Sequence, residues 1–176
     1  MRRLLAAGSA AALVVLALLA ALGWHVSGRI HREALLASYD RGPEQYDDAL
    51  VAAFDGAGFA PGSFHHRDHV RVAWVLLGRA TLMETLSRFT AELRRLAAAA
   101  GKPEVYHETI TCAYVILVQE RRAPSGREDW PAFVARNPEL LAWKPSVLET
   151  RYYREETLWS ERARASFVLP DRGVTA

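Results

Sequence analysis

Cysteine is nearly absent from this chain, which has a single thiol, Cys112, among its 176 residues. An intramolecular disulfide is therefore impossible, and so is a Cys-rich zinc or iron–sulfur centre. Cys112 stands between Thr111 and Ala113 in an apolar run, where a cysteine is more often a small packed hydrophobe than a nucleophile. Charge of one sign is lacking as well. There are 22 Lys and Arg against 20 Asp and Glu, and the excess is supplied by Arg2 and Arg3, because residues 1 to 24 contain no acid. The remaining body is neutral, whereas a nucleic-acid binder needs a basic face to displace counterions from phosphate, so no nucleic-acid partner is expected. Two further absences concern pattern. No internal repeat appears, and no apolar/polar alternation is long enough to build a sheet.

What is present is enough for a core. Hydrophobic residues make up 51% and charged residues 24%, with five Trp, a globular composition at a length that suits one domain. The chain opens on MRRLLAAGSAAALVVLALLAALGW, uncharged from Leu4 to Trp24. As a helix that run spans about 31 Å, close to the hydrocarbon thickness of a bilayer. It reads as a signal anchor in preference to a cleaved signal peptide, although Ala21-Leu22-Gly23 offers the small residues a peptidase needs. Arg2 and Arg3 place the N-terminus in the cytoplasm, predicting a single-pass inner-membrane protein with a periplasmic body, or a periplasmic or secreted one after cleavage. Arg29, His31 and Arg32, just past the other end, oppose that orientation.

The body is predicted to be all-α, a single bundle of about five to six helices. Residues 25–42 form a juxtamembrane helix and linker, 43–171 the bundle, and 172–176 a loose tail. Within the bundle, PEQYDDALVAAFD has proline at a first-turn position and acids early; His66 to Arg79 is the next helix. Thr81 caps a third helix with Leu82, Leu86, Phe89, Leu93 and Leu96 at helical spacing, closed by Gly101 and Pro103. HETITCAYVILVQERR is apolar nearly all round, which marks a central buried helix or a buried strand rich in β-branched residues, and its length favours the helix. WPAFVARNPELLAW gives two short helical turns broken at Pro138, and RYYREETLWSERARASF a last amphipathic helix. The segment VLPDRGVTA reads as loose.

The chemistry concentrates in FHHRDHVRVAW, residues 64 to 74, which holds His65, His66 and His69. On a helical wheel these share one arc with Val70, Val72, Ala73, Leu76 and Leu77. His65 with His69 at i, i+4, or His66 with His69 at i, i+3, brings two imidazoles to one metal ion, and spacing does not choose between them. His107 opens the apolar helix, where the macrodipole disfavours protonation and keeps the ring able to ligate or act as a base. Glu108 and Asp68 are the candidate catalytic helpers, as general base or as orienter of a ring, and Asp68 can equally pair with Arg71. Glu155 and Glu156 are candidates for a fourth ligand, with ion pairs to Arg151 and Arg154 as the plainer reading. The plainer reading of the histidines themselves is that each is a satisfied core or capping residue.

Phe64, His66, Asp68, His69, Val70, Arg71, Ala73 and Trp74, then Gly101-Lys102-Pro103 with the run YHETIT from Tyr106, then Tyr152-Tyr153, and finally Phe167, Val168, Pro170 and Asp171 form a longer pattern. In these residues the chain resembles a family of small bacterial helical proteins with no assigned function, over roughly residues 59 to 171. The resemblance implies that His66 rather than His65 pairs with His69, and that His107, Thr109 and Thr111 belong with them. The DinB-like three-histidine bundles are similar in general idea, but here the close pair precedes the single histidine, so they serve only as analogy.

Two functions follow as expectations. One is a mononuclear site of His66, His69 and His107 holding a divalent metal, zinc before nickel, copper or ferrous iron, and supporting metal-assisted hydrolysis or group transfer. The other is a non-catalytic module that binds a small molecule or a protein, its histidines serving as core hydrogen-bond hubs. They differ in convergence: the first needs three imidazoles aimed at one point, the second only that each ring finds a protein partner.

Overall fold

The computed structural model describes residues 43–56, 58–59, 63–122 and 128–173. The apolar segment 1–24, the stretch 25–42, the centre of the loop after Arg122 and residues 174–176 lie outside them, and so do the expectations that fall there. Among the described residues the protein is all-α, with about five main helices and no strand, and no helix is long and apolar enough to cross a membrane. Two compact units are distinguished, residues 1–63 and 64–176. The first contributes α1 (Pro43–Asp55), which starts on its proline and buries Leu50, Val51, Ala53 and Phe54.

The second unit holds the rest. Helix α2 (His66–Leu77) buries Val70, Val72, Ala73, Val75, Leu76 and Leu77 and ends at Gly78. A Cβ on Gly78 would stand 3.0 Å from an Arg122 guanidinium nitrogen, and that guanidinium lies over the Trp74 ring at 5.0 Å. The small residue thus admits a cation–π contact. Helix α3 (Leu82–Ala99) begins on a reciprocal cap: the Thr81 hydroxyl accepts from the Glu84 amide, while the Glu84 carboxylate accepts from the Thr81 amide at 2.9 Å. Two orphan donors are satisfied at once. The helix closes at Gly101, whose φ of 70° lets the Lys102 amide turn back to the Ala97 carbonyl at 2.9 Å; only glycine holds that φ without a Cβ penalty. A 3₁₀ turn, Pro103–Val105, leads into α4 (Glu108–Arg121).

Helix α4 is the centre predicted from its composition. It packs against α2 and α3, and it buries Thr109, Thr111, Ala113, Tyr114, Val115, Leu117 and Val118. Helix α5 (Trp130–Arg136) is capped by Asp129, whose carboxylate accepts the Ala132 amide at 2.9 Å. A second 3₁₀ turn, Pro138–Leu141, is tied back to the end of α4 by Arg121, which reaches Glu139 at 2.7 Å.

The expected last helix is broken. A π-helical turn (Leu148–Tyr152), extended backbone at Tyr153 and Arg154, α6 (Glu155–Leu158) and α7 (Glu161–Ala165) take its place. Tyr153 has no exposed surface, and its hydroxyl donates to the Val168 carbonyl at 2.9 Å. The amide of Arg154 is freed from the ladder and is capped at 2.8 Å by Asp171, whose other carboxylate oxygen accepts from the Thr157 hydroxyl at 2.6 Å. Ser160 then caps α7 through the Ala163 amide. The same bonds correct the expectation for the segment after Phe167. It is strapped to the bundle, with the Val168 amide on the Thr109 hydroxyl and the Asp171 and Arg172 amides on the Tyr152 carbonyl.

Candidate functional site

His107 is the N-cap of α4: its Nδ1 accepts the Ile110 amide at 3.3 Å. Its Nε2 faces the Leu158 carbonyl at 2.9 Å. Because a carbonyl only accepts, Nε2 carries the proton and Nδ1 the lone pair, and both nitrogens are spent. Leu158 is the last residue of α6, so its carbonyl is one that a helix end leaves without an internal partner. One imidazole therefore closes two helix ends. Burial is the main reason its pKa lies below the usual value, the Leu158 bond opposing it and Arg164 adding to it. Trp159 meets the ring edge-on, centroids 5.8 Å apart.

His66 does half of the same work. Its Nε2–H donates at 2.8 Å to the carbonyl of Leu140, in the second 3₁₀ turn, which fixes the tautomer and leaves Nδ1 with a lone pair. The ring lies edge-on to Tyr114 at 4.6 Å and tilted against the exposed Trp143 at 5.3 Å. Burial lowers its pKa despite the carbonyl bond.

His69 differs from both. Its ring is half-buried against Phe64, edge-on at 4.2 Å, and among the described residues no hydrogen bond engages either nitrogen. Burial, then the adjacent His66 and His65, push its pKa down to about 3, so the ring is neutral across the physiological range. His65 is exposed rather than on the buried arc. Of the two pairings that spacing left open, His66 with His69 is the one whose members both pack against aromatic rings.

The three expected ligands are not gathered. Among the described residues no three His, Cys, Asp or Glu side chains come together in a group that holds a metal ion, and His107 has no lone pair to give. The expected helpers are committed as well. Asp68 accepts the His65 amide at 2.9 Å as part of the α2 cap. Glu108 accepts from the Tyr106 hydroxyl at 2.6 Å and from Arg94, which also lies over the Tyr106 ring at 4.8 Å. Burial and then Glu108 push the Cys112 thiol up to about 12, in keeping with a packing role. Glu155 and Glu156 are exposed on α6. Thr109 and Thr111, joined to the histidines by the resemblance, are buried, and the Thr109 hydroxyl holds the C-terminal strap through Ser166 and Val168.

Sequence reasoning missed Trp143 and the connection behind it. The buried Tyr114 hydroxyl has no partner at hydrogen-bonding geometry among the described residues; Ser146 approaches it closely enough to ease ionisation slightly, while burial pushes its pKa up to about 12. Ser146 and Glu149 cap each other reciprocally, the Ser146 amide on Glu149 at 2.8 Å and the Glu149 amide on the Ser146 hydroxyl at 3.2 Å. The S-x-x-E spacing was the available signal for that cap. The fold and the site thus define an all-α protein whose helix ends are stapled by neutral histidines. Comparison with protein-family models, with curated proteins and with solved structures finds no match in any of the three.

Proposed function

We propose that this chain is a membrane-anchored helical-bundle module that binds a small ligand without transforming it, at the first turns of α2. The unequal state of the histidines carries the reading: His107 has spent both ring nitrogens on the fold, while His66 keeps Nδ1 and His69 keeps both. Two neutral imidazoles with unfilled hydrogen-bonding capacity, beside an exposed indole at 5.3 Å from one of them, suit a planar ligand with polar edges. Asp68 and Glu108, the candidate general bases, are held in caps and ion pairs. Anchoring rests on the uncharged run from Leu4 to Trp24, with the body on the periplasmic side by the charge of Arg2 and Arg3.

A second reading uses the same free lone pairs for a divalent cation, zinc first, held by His66 and His69 with water completing the coordination. One experiment separates the two: the full chain in micelles, ¹⁵N-labelled at histidine, is titrated with a library of small planar polar compounds and, in parallel, with zinc chloride. Compounds that shift the His66 and His69 signals and leave His107 unmoved support the ligand site. Saturation of those two signals by zinc alone, with one ion per chain by mass spectrometry, favours the cation. Silence of both histidines in both titrations refutes the site.

A further inference from the structure

We infer that the end of the bundle around the start of α4 is a membrane-contacting surface, its exposed apolar side chains entering the interface of the bilayer that holds residues 4–24. Four large apolar residues stand out there: Val105 at 60% exposure, Trp159 at 38%, Phe167 at 39% and Leu169 at 76%. Hydrogen bonds gather them at one place. Arg164 donates to the Glu104 carbonyl at 2.8 Å, tying α7 to the 103–105 turn; Thr109 holds Ser166 and Val168, setting Phe167 and Leu169 beside the first turn of α4; and Trp159 meets the ring of His107. Fixed backbone carries these side chains outward, whereas a soluble surface scatters its apolar residues singly.

The occupant is argued from the chain itself. The inference rests on the anchored reading above, by which a bilayer is never farther from the body than the linker allows. From Trp24 to Pro43, where α1 begins, that linker reaches at most about 68 Å when extended. Charge points to how the contact is made. Between Arg154 and Arg164 three arginines are matched by three glutamates, and Lys102 is matched by Glu104, so anionic lipid gains little and apolar insertion dominates. Tryptophan, with an apolar body and a polar N–H, is the side chain that partitions best to that depth.

The test uses the full chain in phosphatidylcholine nanodiscs with Leu169→Cys carrying an environment-sensitive nitrobenzoxadiazole label. Cys112, half-buried with its thiol pushed up to about 12, is bypassed at neutral pH. The control is Met83→Cys, 73% exposed at the opposite end of α3, a helix about 27 Å long. Expected are a blue-shifted emission at position 169, its quenching several-fold by brominated lipid, little change with added salt, and none of this at position 83. Tryptophan quenching by brominated lipid in the unlabelled chain, reduced in Trp159→Phe, reports the same contact without the label. Equal, water-like emission at both positions in discs that still carry the protein overturns the surface and leaves the anchor standing. A blue shift at 169 that brominated lipid does not quench assigns the patch to another protein surface and also overturns it. Protein that fails to co-elute with the discs overturns anchor and surface together.

Discussion

Replacing His107 by alanine removes two hydrogen bonds and a buried ring in one step, and the cost can be worked from the structure. Loss of the cap on the Ile110 amide costs about 1 kcal/mol. The bond to Leu158 adds about 1 kcal/mol, more if the carbonyl is left dry. Emptying a site where only 6% of the residue is exposed adds roughly another 1 kcal/mol. About 3 kcal/mol is a large part of the 5–15 kcal/mol that holds an ordinary domain together. Asparagine separates the contributions, because its side-chain oxygen caps a helix well but does not span to Leu158; His107→Asn is expected to recover about 1 kcal/mol. Urea unfolding followed by far-ultraviolet circular dichroism reads both variants, with the midpoint lowered and the slope unchanged. A loss under about 1 kcal/mol in His107→Ala, or an asparagine variant no better than alanine, would show that the ring is not the double cap described.

The histidines also set a pH dependence. His69 titrates at about 3 in the folded state and near 6.5 when unfolded, so its stabilisation is complete above pH 6.5. It is lost as pH falls from there toward 3, because the unfolded chain takes up a proton that the folded chain refuses. The lowered values of His66 and His107 act in the same sense. Each histidine contributes at most about 1.4 kcal/mol per pH unit, and His69→Leu is expected to flatten the stability profile measured between pH 6.5 and 5; an unchanged slope would refute the assignment. Asp171→Ala uncaps Arg154 and Thr157, so limited trypsin digestion should release the C-terminal strap faster while the α4 core resists; equal rates would mean that the strap is held by other contacts. Alkylation of Cys112 at pH 8 is expected to run on the order of 10²–10³-fold slower than that of an unfolded control, since only the thiolate reacts. A rate near the control would contradict its burial beside Glu108.

The two ends of α3 were legible in the sequence because their caps are local. Thr81 at its start and Gly101 before Pro103 at its close each solve a shortage of backbone partners within four residues, so residue type and spacing suffice. The central place of α4 was legible for a related reason: a helix apolar nearly all round has to be covered on most sides. Where the partner is distant, the pattern misled. The segment 151–167 carries good helical periodicity, but the Tyr153 hydroxyl bonds to Val168 and the freed Arg154 amide to Asp171, 17 residues on. Those bonds offset the turns they interrupt.

The same division holds at the site. Sequence alone determined that His66 and His69 share one turn of a helix and that His107 begins another, since a 3.6-residue period fixes which side chains are neighbours. Where each ring points was decided only by tertiary structure. The carbonyl that orients His66 lies 74 residues away and the one that orients His107 lies 51 away, each at an end of a short helical turn whose placement comes from packing. A buried carbonyl without a partner costs enough to capture the nearest imidazole N–H. That capture spent His107 on the fold and left His66 and His69 with nitrogens to offer.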